Sequence, residues 1–265
     1  MIRNVRIKAA LTVALGALWA ATAAWGQPKP KTQKELEALQ AIQKATTADG
    51  QLKAIDNVLE NFADTEFKVR LLVMGTQISE QKGDFALCTT YAERTLEADP
   101  KNIFALSTLA LENVSHTREF DLDKDEKLAK AEKYANQAIA NAPSAVNNMG
   151  FPDDQWTALK KDLAAQAHDS LGRIAALRKK YDVSVTEFKA SLDTGTTPDP
   201  TVMVRLGDAY LQQSKYDDAI SWFDKAAAAP NAPATVKQVA ASRKADALKA
   251  KEKANPPAKP PADNK

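Results

Sequence analysis

Thr201 to Asn231 reads TVMVRLGDAYLQQSKYDDAISWFDKAAAAPN, and this stretch decides the fold. It divides into two short amphipathic helices around a tight turn. Leu206, Gly207 and Tyr210 share one face of the first helix, and Ala219, Phe223 and Ala226 recur at helical spacing on the second. Small residues mark where two backbones approach closely. The spacing therefore predicts Gly207 facing Ala219 across the pair, with Tyr210 and Phe223 filling the gap on either side. Pro230 follows the second helix and cannot continue it. Two helices this short cannot bury their outer faces alone, so the pair requires stacked neighbours.

Leu-Gly-x-x-Tyr, then Ala-x-x-x-Phe-x-x-Ala, then Pro at the seam closely resembles a tetratricopeptide repeat. Met203 stands where the family has its early Trp. The resemblance implies an all-α fold, a right-handed superhelix (α-solenoid) of helix-turn-helix repeats.

Working backwards, a second unit has the same order. His168 stands at the usual Trp position, with Leu171, Gly172 and Ala175 on its first helix and Ser184, Phe188 and Ser191 on its second. Gly172 and Gly207 are 35 residues apart, against about 34 for the family repeat. A long helix starting near Asp154, which could cap it, carries Trp156, Leu159 and Leu163 into this unit. The linker before it, 144–154, has turn chemistry at Asn147-Asn148, Met149-Gly150 and Phe151-Pro152.

Further back lie two repeat-like units in 65–143. The later one has Leu106, Leu109 and Ala110, then Ala131, Ala135 and Ala138, with a charged insertion near 114–127. In the earlier one Gly83-Asp84-Phe85 forms the turn, Cys88 takes the place of the packing Ala, Ala92 that of Phe and Thr95 the next small position. Counted from the turn, Thr76 falls where Gly is usual and Gly75 one residue early. Before these, 33–64 reads as a degenerate N-terminal helix pair, with stripes Leu36, Leu39, Ile42 and Leu52, Ile55, Val58. The units 144–232 comprise linker, long helix and two repeats. A helix over 233–253, apolar on one side through Val236, Val239, Ala240, Ala247 and Leu248, is expected to cap the stack. The tail 254–265 has almost no large apolar residue and is expected to be disordered, and 27–32 a flexible leader.

Residues 1–26 have the pattern of a secretory signal peptide: Arg3, Arg6 and Lys8, an apolar run from Ala9 to Ala24, then small residues before Gln27. The expectation is a periplasmic or secreted protein of exported bacterial type, touching membrane only through that segment if it stays uncleaved. Its removal takes the formal charge from +2 to −1. What remains carries no net field to recruit nucleic acid. A single Cys leaves stability to helix packing within this chain.

The chemistry of catalysis is sparse. The chain has two His and one Cys, with no zinc spacing, no phosphate-binding Gly-rich loop and no nucleophile elbow. His168 reads as a core residue and His116 as a solvated residue of the insertion. Asp121-Leu122-Asp123-Lys124-Asp125-Glu126 has the look of a calcium loop, yet its sixth place is Glu126 where Gly is required. Asp121 and Asp123 read better as caps of a helix starting near Asp125. No catalytic group, metal or cofactor is expected.

The resemblance implies a concave face of first helices that binds another protein, as an extended peptide or a partner helix. Its residues here would be Phe104, Ser107 and Leu111, then Gln166, Asp169 and Arg173, then Val204, Asp208, Leu211 and Gln212. Asp169 and Asp208 stand where a carboxylate-binding face needs basic or amide groups, so a C-terminal carboxylate ligand is disfavoured. Part of the face could instead pack on the helix that starts near Asp154. The expected function is a non-catalytic interaction scaffold of the cell envelope. Its rivals are an envelope hydrolase or metal-dependent enzyme using the acidic insertion, and a structural envelope-associated protein.

Overall fold

The computed structural model describes residues 28–255. The signal-peptide reading, Gln27 and the tail 256–265 lie outside the described residues. All regular structure among the described residues is helical: α1 Gln33–Lys44, α2 Ala48–Asn61, α3 Lys68–Lys82, α4 Phe85–Ala98, α5 Ile103–Ser115, α6 Lys124–Asn141, α7 Asp153–Leu177, α8 Tyr181–Thr194, α9 Pro200–Gln212, α10 Tyr216–Ala228 and α11 Ala234–Ala254, with one 3₁₀ turn at Ala142–Ser144. Helices consecutive in sequence pack on one another in both units. The described chain forms two compact units, 28–171 with 194–196, and 172–193 with 197–255.

In the first unit, local chemistry sets the helix starts. Thr32 accepts from the Glu35 amide, Thr47 from Gly50, Asp84 from Leu87 and Asn102 from Ala105. Each satisfies one of the donors that a helix leaves open at its start. Gly83 ends α3 at φ 73° and ψ 18°, a left-handed conformation that glycine adopts without a Cβ penalty. The Asp84 amide then reaches back to the Ser79 carbonyl at 3.0 Å. The core of α1 to α4 joins Leu39, Ile42, Leu52, Ile55, Val58, Phe67, Leu71 and Tyr91. The leader expected to be flexible carries bonds to this unit: the Lys29 amide donates to Glu66 at 3.1 Å, and Lys31 Nζ to the Asp64 carboxylate at 2.8 Å.

The register of the α3–α4 pair differs from the sequence reading. A Cβ on Gly75 would lie 2.5 Å from Tyr91 Cδ1, so Gly75 is the close-approach position and Tyr91, not Ala92, is the aromatic that lies on it. Both have moved one residue back relative to the turn, and the separation of 16 that links Gly172 to Phe188 and Gly207 to Phe223 is preserved. Cys88, Ala92 and Thr95 are fully buried beside Tyr91. Thr76 spends its hydroxyl on the Leu72 carbonyl at 2.9 Å.

The insertion resolves into a short loop, 116–123, between α5 and α6. α6 begins at Lys124. Asp123 stands at its cap position without a capping bond, and Asp121 instead accepts from the Arg118 amide at 3.0 Å. Both carboxylates lie on Lys127, at 3.3 Å from Asp121 and 2.9 Å from Asp123. Neither caps α6, a correction to the reading above. The cation and the turn amide compete successfully for the same oxygens.

α7 starts at Asp153, one residue before the expected cap. The segment before it folds onto α5. Phe151 stacks on Trp156 at 6.3 Å between centroids, Phe104 lies 6.1 Å from Trp156, and Trp156 Nε1 donates to the Ala145 carbonyl at 3.2 Å. Buried Arg70 fixes the other side of this segment, its Nε donating to the Asn148 carbonyl at 2.5 Å.

The second unit packs α8 to α11 and the end of α7 around Phe188, Val202, Leu206, Tyr210, Phe223, Val236 and Ala240. Lys179 and Ser214 occupy the turns of its two pairs at φ 59° and 58°, where the first unit uses Gly83. Gly207 lies against Phe223, not against Ala219 as the sequence suggested: its Cβ would fall 2.5 Å from Phe223 Cε1. Ala219 and Ala226 are buried on either side of that ring. α11 continues to Ala254, and one face of it buries Val236, Ala240 and Ala247 on α9 and α10.

Candidate functional site

The proposed binding face begins from the first helix of each pair. In the second unit, α9 has Val202, Val204, Leu206, Ala209 and Tyr210 inside. This burial sets the rotation of the helix. Thr201, Asp208 and Leu211 are left partly accessible and Gln212 exposed, while Val204, expected on the face, is 7% exposed and belongs to the core. Asp208 meets Arg243 of α11 at 3.2 Å, and Arg243 also approaches Asp246 at 3.9 Å. Burial pushes the Asp208 carboxyl above its ordinary range, against the opposing pull of Arg243. Arg173, at the end of α7, is half-buried. Asp208, Leu211 and Gln212 are thus residues of the expected face that stay accessible on the second half of α9.

In the first unit, the long helix covers much of the expected face. Ser107 is fully buried and donates to the Leu163 carbonyl at 3.1 Å. Gln166 spans to the Ser107 carbonyl at 3.5 Å. Phe104 is enclosed by Phe151 and Trp156, and Asp169 is 6% exposed. Phe104, Ser107 and Asp169 are therefore interior residues, as is Val204 in the second unit. Leu111 and Gln166 keep partial exposure. The physical reason is α7: Leu159 and Leu163 need cover, and α5 supplies it with Ile103, Phe104 and Ser107.

His116 is not a solvated loop residue. It ends α5, with its ring stacked on Phe85 at 4.0 Å and Nδ1 at 3.0 Å from the Glu112 carbonyl. The buried Glu112 carboxylate lies 3.6 Å from the same nitrogen. His168 is half-buried on α7. No group of three or more His, Cys, Asp or Glu that could hold a metal ion occurs among the described residues. No described helix is long and apolar enough to cross a membrane.

Two features escaped the sequence reading. Phe120 is 90% exposed and Leu122 fully so, at the tip of the loop between α5 and α6. A cavity of about 160 Å³ opens at the other end of α5, lined by Phe104, Met149 and Trp156 among others. Alternation of Phe120 and Leu122 with Glu119, Asp121 and Asp123 was the available signal for the first.

Residues 200–231 match the family model described as a tetratricopeptide repeat. Among solved structures, a thermophilic TPR protein of Thermus thermophilus is similar at 15% identity, with 80% of this chain and 95% of that one covered and a TM-score of 0.53. The MamA protein matches at 17% identity over 71% of this chain and 90% of its own, with a TM-score of 0.40. A tetratricopeptide repeat protein from Parabacteroides merdae matches at 13% identity over 87% and 99%, with a TM-score of 0.31. No curated protein matches the chain. The chain carries a tetratricopeptide repeat, and its fold is that of a tetratricopeptide-repeat protein.

Proposed function

We propose that this chain is a non-catalytic protein-interaction scaffold, exported to the cell envelope, which holds another protein or a peptide on the accessible strip of α9. The observation that carries this reading is that Asp208, Leu211 and Gln212, with Thr201, stay accessible on the first helix of the repeat at 200–231 while Val204 between them is packed. Leu211 supplies apolar contact and Gln212 can donate and accept, while Asp208 is held by Arg243 of α11. The Arg3, Arg6 and Lys8 start and the apolar run after it support export.

The test is affinity capture from envelope extract with the purified chain and with its Leu211→Asp variant, both checked for helicity. A protein retained by the wild type and lost by the variant supports the strip as the binding face. Equal retention by both, or none by either across a salt series, contradicts it.

A further inference from the structure

α11 has two flanks, and its ion pairs tell them apart. Lys244 reaches Asp224 and Lys251 reaches Asp217, both on α10. Arg243 reaches Asp208 on α9 at 3.2 Å. One flank therefore borders α10 and the other borders α9. Residues three or four apart on a helix are neighbours on its surface. Leu248 comes four residues after Lys244 and three before Lys251, so it belongs to the α10 flank. Val239 comes four residues before Arg243 and Asp246 three after it, so both belong to the α9 flank. Val239 and Leu248 are exposed to similar extents, 44% and 43%.

α9, α10 and α11 pack on one another in order, reversing direction at each connection, so α9 and α11 run the same way. The Asp208–Arg243 contact fixes their register. Leu211 stands three residues beyond Asp208, and Val239 four residues short of Arg243. The two accessible apolar side chains thus flank the ion pair, about 10 Å apart along the common axis at 1.5 Å per helical residue. The charges between them balance. Arg243 also approaches Asp246 at 3.9 Å, and Arg205 acts on the Asp208 carboxylate from α9 itself. Two acids and two bases leave no net field to favour a charged side chain, and a charge placed there would lose hydration without a free partner.

A ligand that covers both apolar groups needs apolar side chains at that interval on one side. In an extended strand, residues on one side recur at about 7 Å and then about 14 Å, and neither interval fits. Positions i and i+7 of an α-helix recur at ~10.5 Å, which does. We infer that the α9–α11 face takes an amphipathic helix of a partner protein, with large apolar side chains at i and i+7 over Val239 and Leu211 and a small uncharged residue between them over the Asp208–Arg243 pair. This names the partner chemistry of the α9 strip and rests on the reading of that strip as a binding face.

The experiment selects a random display library of peptides of about 15 residues, long enough to form a helix, on the immobilised full chain. Enriched peptides should carry Leu, Ile, Met, Phe or Trp at two positions seven apart, with no Lys, Arg, Asp or Glu at the positions midway. A Pro placed midway should abolish binding, because it breaks a helix. Val239→Gln and Leu211→Gln should each weaken the enriched peptides about tenfold, the loss of one apolar contact. Leu248→Gln, equally exposed on the other flank, should leave binding unchanged, and circular dichroism checks that each variant is folded. No enrichment overturns the inference. So do peptides with their apolar residues two or four apart, peptides that tolerate the Pro as a polyproline II segment would, and binding that falls as much with Leu248→Gln as with Val239→Gln. Peptides that depend on Leu211 but not on Val239 overturn the helix and leave the α9 strip standing, whereas peptides indifferent to Leu211 contradict the strip itself.

Discussion

Gly207 lies directly under the ring of Phe223, so close that a Cβ there would fall 2.5 Å from Cε1 and 2.8 Å from Cδ1. The same relationship holds between Gly172 and Phe188, and between Gly75 and Tyr91. Where the helices meet this closely, polar groups also connect: Ser184 Oγ donates to the Gly172 carbonyl at 2.8 Å. The glycine and the aromatic ring form one fitted pair, and the pair sets the spacing between the two helices.

Gly207→Ala should therefore destabilise the second unit even though alanine is the better helix former. Inserting one methyl under a fully buried ring costs about 1–3 kcal/mol, more than the ~1 kcal/mol that the propensity gain returns. Phe223→Leu removes the clash, so the double variant should lose less than the sum of the singles. Urea unfolding followed by circular dichroism measures all three. A Gly207→Ala midpoint at or above wild type would contradict the contact.

The turns at Lys179 and Ser214 hold left-handed backbone with side chains that disfavour it. Ser214→Gly and Lys179→Gly should each stabilise the protein by about 1 kcal/mol, since the left-handed conformation costs an L-residue roughly 1–2 kcal/mol and the added unfolded-chain entropy of Gly takes part of that back. Thermal midpoints that fall on both substitutions would show that the turns do not adopt this conformation.

Asp208 carries the pH prediction. Burial raises its carboxyl above the ordinary value, so the folded state binds this proton more tightly than the unfolded one. Between the ordinary carboxylate pKa, about 3.9, and the raised folded value, the folded state holds more protons, and this group's contribution to stability falls as pH rises through that window. Asp208→Asn should flatten the corresponding part of the stability–pH curve, and its effect relative to wild type should be more favourable at neutral pH than at pH about 3.5, below the ordinary value. A difference between the two proteins that is the same at both pH values would refute the raised pKa.

How much of this was legible in the sequence varies by residue, for physical reasons. The repeat at 200–231 was clear because Gly207, Tyr210, Ala219 and Phe223 are each dictated by helix contact, and the 35-residue echo at Gly172 confirmed the period. The partner of Gly207 was misread: small residues suggested a Gly–Ala approach, and the structure uses the absence of a side chain to seat a ring. Tyr91 was missed because counting from Gly83 assumes a fixed distance to the aromatic, and here the aromatic lies one residue nearer the turn and its glycine one residue farther from it. The register of a repeat's first helix puts Ser107 on the face, with packing on the helix near Asp154 as the alternative, and the structure takes the alternative. Its burial depends on a helix 56 residues away, and only Phe151 and Trp156 hinted that the linker would fold back. Phe120 and Leu122 alternate with Glu119, Asp121 and Asp123, and the inward turn of Asp121 to the Arg118 amide and Lys127 leaves both apolar side chains outside.

α11 is expected to be required for the second unit to stay folded. It buries Val236, Ala240 and Ala247, and it lays Lys244 on Asp224 at 2.7 Å and Lys251 on Asp217 at 2.5 Å. Ending the chain after Pro230 should leave Phe223 and Tyr210 uncovered on that side and produce unfolding or aggregation, whereas ending it after Asn255 should leave the midpoint unchanged. The exposed ion pairs add little individually, so high salt should shift the full chain only slightly. A soluble, cooperatively folding chain that ends at Pro230 would contradict the packing described.

The claim that the α9 strip is a protein-binding face is tested most directly by site-specific photo-crosslinking in intact cells. A photoreactive residue is placed at Gln212, exposed at the end of α9, and in a second strain at Lys225, exposed on α10 beside Trp222. The account predicts a discrete adduct with one protein from Gln212 and none with that protein from Lys225, identified by mass spectrometry of the crosslinked band. No adduct from Gln212, or the same adducts in equal yield from both positions, would contradict it.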